Sequence, residues 1–386
     1  METHVLGSRT AASEKSTQGS LLHAAMPPSR IFSEELISRL ICRGELNLHG
    51  MIRNIPPAKP SHIRRESLQS SLGLLDRLPA ELLLLTLDLL DFQSLSRLSR
   101  VSLRGKVVVE SLPAFREMMQ HAPQTLAALG LTRLLKYHSS SVLRQTLRSA
   151  ECVSCFGFAG FLFLPTCERV CFECLHENRA LWMMNRAEAK KCFHLTEKQL
   201  KTIPTLYSIP GTYNVKFLIS RRRVVRLVSV KQVKQLAITI HGSIETSPEL
   251  NPVSRPTTMT QKQYWRFKRF IEAPLEPPGC DMSRLPDKEN NVGDEYCGMG
   301  SIRFTFLTDG RADHGVVCKG CVRAQEDYQH KSMPAHVVAE LVSPVAHPSR
   351  PLSALGVRLR SRDEFVDHIK HCYGVSRFLA EWGENV

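Results

Sequence analysis

Six of the chain's twelve cysteines stand in CxxC pairs: Cys152 with Cys155, Cys171 with Cys174, and Cys318 with Cys321. A CxxC turn brings two sulfurs together on one tight loop. A tetrahedral zinc ion needs four soft donors, so two such turns can close a site. Fifteen residues separate the first pair from the second. That spacing predicts one zinc ion held by Cys152, Cys155, Cys171 and Cys174, clasping the segment GFAGFLFLPTCER between the pairs. Four protein ligands leave no position for water, so the ion is expected to be structural. Cys167, His176, Cys192 and His194 are near enough in sequence to replace one of these ligands.

The third pair has no fourth CxxC to complete it, so its remaining donors must come from elsewhere. In SRDEFVDHIKHCYG, read as a short helix, His368 and Cys372 are four residues apart and project from one face. Cys318, Cys321, His368 and Cys372 are therefore expected to hold a second structural zinc ion, tying the C-terminal helix back across a long loop. His371 can stand in for His368, and Cys297 competes as a ligand. A redox CxxC is the rival use, but it opens a helix after a strand in thioredoxin-like folds, which the flanking residues do not suggest. Cys42 and Cys280 cluster with nothing and fall in segments expected to be mobile.

The chain has no phosphate-cradling GxxxxGK, no GxSxG elbow and no HExxH, so no catalytic residue is assigned. Lys and Arg outnumber Asp and Glu by 51 to 37, a net charge of +14 that favours acidic partners. The densest cationic run is SRRRVVR, with Arg221, Arg222, Arg223 and Arg226. Nucleic acid is compatible with this charge, but no basic recognition helix adjoins the CxxC pairs. No run of roughly 18 apolar residues occurs and the first twenty residues do not resemble a secretion signal, so a chain of the cytoplasm or nucleus with no membrane partner is expected. Thiols stay reduced there, which again favours metal over disulfides.

The elements that must position these cysteines can be read coarsely. Residues 1 to 70 are rich in Ser, Thr, Pro and Arg and are expected to be disordered, apart from a short periodic stretch at Ile31, Leu36, Ile37, Leu40 and Ile41. From Leu74 to Leu147, leucines recur at three- and four-residue steps, predicting helices. A metal-held knot of turns follows to Cys192. Ser229 to Ile240 predicts a helix with Val230, Val233, Leu236 and Ala237 on one face, and Ser301 to Leu307 alternates like a half-buried strand. Asn251 to Arg255 and Pro274 to Asn291 read as loops. The class is α+β, with a mainly helical N-terminal half.

One segment offers more leucine than its own neighbours can bury. In LLDRLPAELLLLTLDLLDFQSLSRLSRVS, Pro79 suits a helix start and Glu81 falls in the first turn. Leu82, Leu85 and Leu89 line one face of that helix; Leu83, Leu87 and Leu90 line another. After Asp91, Ser94 can cap a second helix carrying Leu95, Leu98 and Val101.

These residues resemble an F-box: the pair Leu78 and Pro79, Glu81 two further on, the Leu82 and Leu85 spacing, then Leu95, Leu98 and Val101 followed by Ser102. The resemblance implies a three-helix module whose leucine-lined surface binds a Skp-type adaptor, and through it a cullin and a RING subunit, while the rest of the chain recruits an unknown protein for ubiquitination. Leu103, Arg104 and Gly105 stand where the family often has a basic residue and a tryptophan, which questions the third helix. The stretches SLPAFREMMQHAP, AECVSCFGFAGFLFLPTCERVCFEC and FHLTEKQLKTIPTLYSIPGTYNV are similar to a group of F-box proteins of filamentous fungi. The implied order is a disordered tail at 1–70, the F-box at 71–118, a helical linker at 119–150, a zinc-binding segment at 151–205, and an α+β partner region at 206–386 with the second zinc site. A zinc-finger nucleic-acid binder and an F-box scaffold outside ubiquitination are the alternatives.

Overall fold

The computed structural model describes residues 32–42, 55, 70–214, 218–244, 250–252, 254–285, 296–345 and 347–383. Most of the tail expected at 1–70, Ile31 included, and residues 286–291 of the second expected loop lie outside that description. The described part of the tail is not irregular. Residues Glu34–Leu40 form helix α1, with Ser33 accepting a bond from Leu36 N at 3.2 Å and two glutamates in the first turn.

Three short helices follow: α2 (Ala80–Asp88), α3 (Phe92–Val101) and α4 (Leu103–Ser111). The cap of α3 is Asp91 and not Ser94; Asp91 Oδ1 accepts from Ser94 N at 2.9 Å, because a carboxylate one position before the helix meets the third amide in line. The third helix forms despite Leu103, Arg104 and Gly105. Ser102 caps it, and Gly105 is required there: a Cβ at this position would meet Leu98 O at 2.6 Å, so the close crossing of α3 and α4 depends on its absence. Leu83, Leu87, Leu95, Val108, Val109 and Leu112 make a small core of their own.

Three more helices span residues 113–147, across the end of the expected F-box and most of the helical linker expected at 119–150. Helices α5 (Pro113–His121), α6 (Pro123–Leu131) and α7 (Ser140–Leu147) begin at Pro, Pro and a Ser139 cap, and they send Met118, Leu126, Leu129, Leu143 and Leu147 into the main core. Glu117 ties α5 to Arg144 and Arg148 at 3.1 and 2.9 Å.

The rest alternates short strands with helices: β1 (Phe161–Phe163), β2 (Glu168–Val170), α8 (Phe172–Glu177), β3 (Met183–Asn185), α9 (Arg186–Phe193), α10 (Glu197–Leu200), β4 (Leu206–Tyr207), β5 (Gly211–Asn214), β6 (Leu218–Arg221), β7 (Arg226–Ser229), α11 (Val230–His241) and α12 (Gln261–Ile271). Then come β8 (Ser301–Arg303), β9 (Phe306–Thr308), β10 (Arg311–Asp313), β11 (Val316–Val317), α13 (Lys319–Gln329), α14 (Ala335–Leu341), α15 (Ser349–Gly356), β12 (Leu359–Arg360), α16 (Arg362–Ile369) and α17 (Tyr373–Glu381). All strand pairs are antiparallel; β2-β1-β8 and β3-β7-β4 form three-stranded sheets. Ser301 to Leu307 is therefore not one strand. Phe304 N donates to Gly160 O at 2.9 Å, which turns the chain out of one sheet and into the β9-β10 hairpin.

The main core runs from α5–α7 through the β2-β1-β8 sheet. A second core gathers Trp182, Met184, Phe193, Val228, Val233 and Phe270 around α9, α11 and α12. A third packs Ile37 and Leu40 of α1 against Phe365, Ile369, Val375 and Leu379.

Candidate metal centres and an exposed leucine face

Cys152, Cys155, Cys171 and Cys174 come together with all four sulfurs within 4.8 Å of one another. A zinc–sulfur tetrahedron with bonds near 2.3 Å has edges of about 3.8 Å. The Cys155–Cys171 separation of 3.7 Å matches such an edge. The first knuckle turns at Phe156, a non-glycine residue at φ 60°, whose N–H donates to Cys152 O at 3.0 Å. The second starts α8: Cys171 occupies the cap position, its sulfur accepting from Cys174 N at 3.4 Å, while Cys171 N donates to Cys152 Sγ at 3.3 Å. Amide donors of this kind hold thiolates in place.

The two knuckles are joined through Arg169. Its carbonyl accepts from Val153 N at 2.9 Å, and its buried guanidinium donates to the carbonyls of Thr146 at 2.6 Å, Ala159 at 2.7 Å and Leu147 at 3.2 Å, and also to Thr305 O. Burial without a carboxylate partner pushes this arginine down to about 9. Four carbonyls and the Phe304 ring, 4.7 Å away, compensate its charge.

Cys318, Cys321, His368 and Cys372 form the second group, again within 4.8 Å. Cys318 Sγ lies 3.8 Å and Cys321 Sγ 4.0 Å from Cys372 Sγ, and His368 presents Nε2 at 3.1 Å from Cys321 Sγ. The ligand set is the expected one, but its geometry is not that of a single helix face. His368 sits in the last turn of α16 and Cys372 caps α17, so the chain turns between them. Cys318 and Cys321 open α13 directly after β11, a strand-to-helix placement the flanking residues did not suggest, and what sets them apart from a redox pair is the four-donor group they complete. A Cβ on Gly374 would lie 1.9 Å from Gly320 O, so glycine lets α17 close onto α13 at the sulfurs. Helix α1 closes the other side through an antiparallel bridge from Ile41 to Cys318.

Both donor sets fit zinc, and the two sites are compatible with two structural zinc ions. In each cluster the crowded thiols compete for protons. Hydrogen bonds from its neighbours, Cys155 first, drive Cys152 far down, while Cys174 is driven far up, Cys152 first among the causes. Cys321 is driven down and Cys318 up, each mainly by the other. A divalent cation lets every thiol of a cluster ionise together, so acid would release it.

The competing residues lie elsewhere. Cys167 packs beside Thr146 with its sulfur 3.7 Å from that hydroxyl, Cys192 faces Phe267 O, and His194 terminates α9 at φ 51°. His176 Nδ1 lies 3.2 Å from Cys297 Sγ, a separate buried pair. His371 is exposed. Neither isolated cysteine is in a loose segment: Cys42 N donates to Val317 O at 2.9 Å, and Cys280 N donates to Ser154 O at 3.1 Å, in the turn between Cys152 and Cys155. Sequence reasoning also missed Arg360, which is buried and donates from Nη2 to Cys321 Sγ at 3.6 Å. No local pattern marks Arg360 or Cys280, since each reaches its cluster through tertiary contact.

The leucine face is the other feature. Leu82, Leu85 and Leu89 are 52%, 66% and 72% exposed, while Leu83 and Leu87 on the opposite side of α2 are buried. Leu78, Pro79 and Glu81 are exposed beside them, Val101 is 71% exposed and Leu98 is half-buried. Leu95 departs from the expected adaptor-binding set: it is fully buried, because α3 turns it into the small core it shares with Leu83, Leu87 and Val109. Leu74, Leu103 and Val107 add further exposed apolar surface. Scattered exposed leucines are ordinary; this many on one short module is not.

Among the described residues, no helix is long and apolar enough to cross a membrane. Comparison with known proteins gives no match to a family model, a curated protein or a solved structure.

Proposed function

We propose that the chain is a non-catalytic F-box receptor: α2 to α4 dock on a Skp-type adaptor, which connects to cullin and RING subunits, and the zinc-held remainder recruits an unknown protein for ubiquitination in the cytoplasm or nucleus. The observation that carries the reading is the division of α2. One side is consumed by the module's own core, and Leu82, Leu85 and Leu89 face outward. Exposing Leu82 and Leu85 on one nine-residue helix, with Leu89 at its cap, costs solubility, which a partner's groove would relieve.

The test is co-purification of the full chain with a Skp-type adaptor. Wild type is expected to bring the adaptor down and Leu82→Asp with Leu85→Asp to lose it; equal recovery from both sinks the reading. A nucleic-acid role is favoured by one observation, the exposed Arg222 and Arg223 of the β6–β7 connection and Arg226 at the start of β7. Steep loss of binding to DNA or RNA with added salt would support that role instead.

A further inference from the structure

Helix α12 turns a tryptophan out of the fold. Its inner residues Phe267, Phe270 and Ile271 are spent in the second core, and Trp265 lies away from them, 50% exposed, whereas Trp182 is buried and Trp382 half-buried. The indole is held in place. It meets the buried ring of Tyr264 edge to face at 5.2 Å, and Tyr264 is fixed in turn by donating from its hydroxyl to Pro252 O at 3.2 Å. Lys262 stands three residues before Trp265, Lys268 three after and Arg269 four after, which puts them on the same face of the helix. Lys268 Nζ lies 5.8 Å from the centre of the indole. Arg266 does not join them, because Glu188 Oε1 holds its guanidinium at 2.9 Å. Arg255 comes in at the start of the helix, donating to Met259 O at 2.6 Å while remaining exposed. Residues 251–271 contain five basic side chains and no acidic one, and the next carboxylate, Glu272, is turned to Arg179 at 3.7 Å.

We propose that this face of α12 binds single-stranded nucleic acid, with Trp265 stacking a base and Lys262, Lys268, Arg269 and Arg255 supplying charge to the phosphates on either side. The chemistry of the face selects among polyanions. An acidic peptide would answer the cations but leave the indole in water. An anionic membrane takes up a helix through a broad apolar face, and that of α12 is already inside the protein. A duplex keeps the faces of its bases in its own stack. A single strand offers a π-face for the indole together with a line of phosphates for the cations, and since nothing here reads base edges, no strong sequence preference is expected. The face lies on a different element from the β6–β7 arginines, and the inference does not rest on the adaptor reading.

The test uses the full-length, zinc-loaded chain and a fluorescein-labelled oligouridylate. Anisotropy of the label gives the affinity, and tryptophan emission reports the contact, since Trp182 is buried and Arg39 lies 4.0 Å over the Trp382 ring. Binding is expected to quench the emission. Trp265→Leu is expected to bind at least about five-fold more weakly and to lose the quench, while Trp265→Phe, which keeps a ring, loses the quench and retains most of the affinity. Lys262→Gln with Lys268→Gln is expected to lower the slope of log affinity against log salt by roughly 1.4, the counterions of two phosphates. Adaptor binding by these variants should match wild type, so the two readings fail separately. No binding by wild type, binding without a quench, equal affinity for a base-paired duplex, or a loss caused by Arg222→Gln with Arg223→Gln and not by Trp265→Leu overturns the proposal. So does a blue shift of the emission on phosphatidylserine vesicles with no response to the oligonucleotide. Should Trp265→Leu misfold, Trp265→Phe decides the matter: a quench that survives in it comes from another tryptophan and contradicts the proposal.

Discussion

Helices α2 to α4 and the body behind them use their sticky residues in opposite directions. The module is built on leucine and divides it, with Leu83, Leu87 and Leu95 inside and Leu82, Leu85 and Leu89 outside. The body turns its central strand inward: Phe161, Leu162, Phe163 and Leu164 are all fully buried, and eight side chains able to bind metal are drawn into two centres. The turns and three-residue strands around the first centre need a cross-link to order them, while a module of regular helices can hold itself together and spare a face. The difference predicts that metal-site changes act on folding and outer-leucine changes act on association.

The largest effect is expected from Cys174→Ser. It removes one donor from a closed site, and structural zinc contributes on the order of 10 kcal/mol of apparent folding free energy in small metal-folded modules. Loss of one zinc per chain together with the near-ultraviolet signal of the aromatic core is the expected result; a folded, metal-free variant would break the contrast. Next comes Leu95→Ala, expected to cost roughly 2–5 kcal/mol in a denaturant melt because it empties a packed core position. Leu85→Ala, at 66% exposure, should change stability by less than about 0.5 kcal/mol. Equal melts for these two variants would mean that the inward and outward leucines of the module are assigned wrongly.

Arg169→Leu leaves buried carbonyls of Thr146, Ala159, Leu147 and Thr305 without their donor, for a loss on the order of 3 kcal/mol. Arg169→Lys should recover only part of it, since one ammonium cannot span four acceptors. The smallest effect concerns α5 and α7. Arg148 and Arg144 hold the Glu117 carboxyl down at about 2, against an ordinary 4.5. A lowered carboxylate contributes stability above its unfolded value and loses it as the pH falls toward the folded one. Wild type should therefore lose this contribution between about pH 4.5 and 2, and Glu117→Gln should show a flatter acid melt over the same interval.

Much of the site was legible because its chemistry is written in short spacings. The CxxC pairs name six of the eight ligands, and the alternation within Leu82 to Leu90 separates the two faces of α2 before any fold is known. The remaining pair, His368 and Cys372, was found for a partly mistaken reason: their spacing suggested one helix, whereas the chain turns at Lys370 and His371 to start another. What escaped the sequence is long-range. Helix α1 lies far from Cys318 in sequence, and only folding pairs Ile41 with it. Cys280 looked isolated because the hydrogen bonds that bring it to Ser154 cross more than a hundred residues. Leu95 looked like an outward leucine because a three-residue step does not say which side of α3 meets α2 and α4.

The central claim is that the outer face of α2 serves a partner while the metal centres serve the fold. It is tested most directly by measuring adaptor binding and zinc content on the same preparations of wild type and of the Leu82→Asp, Leu85→Asp variant. The account predicts two zinc ions per chain in both and adaptor binding only in wild type, each lost anchor weakening the complex by about 2 kcal/mol or more. Undiminished adaptor binding by the zinc-replete variant would contradict it.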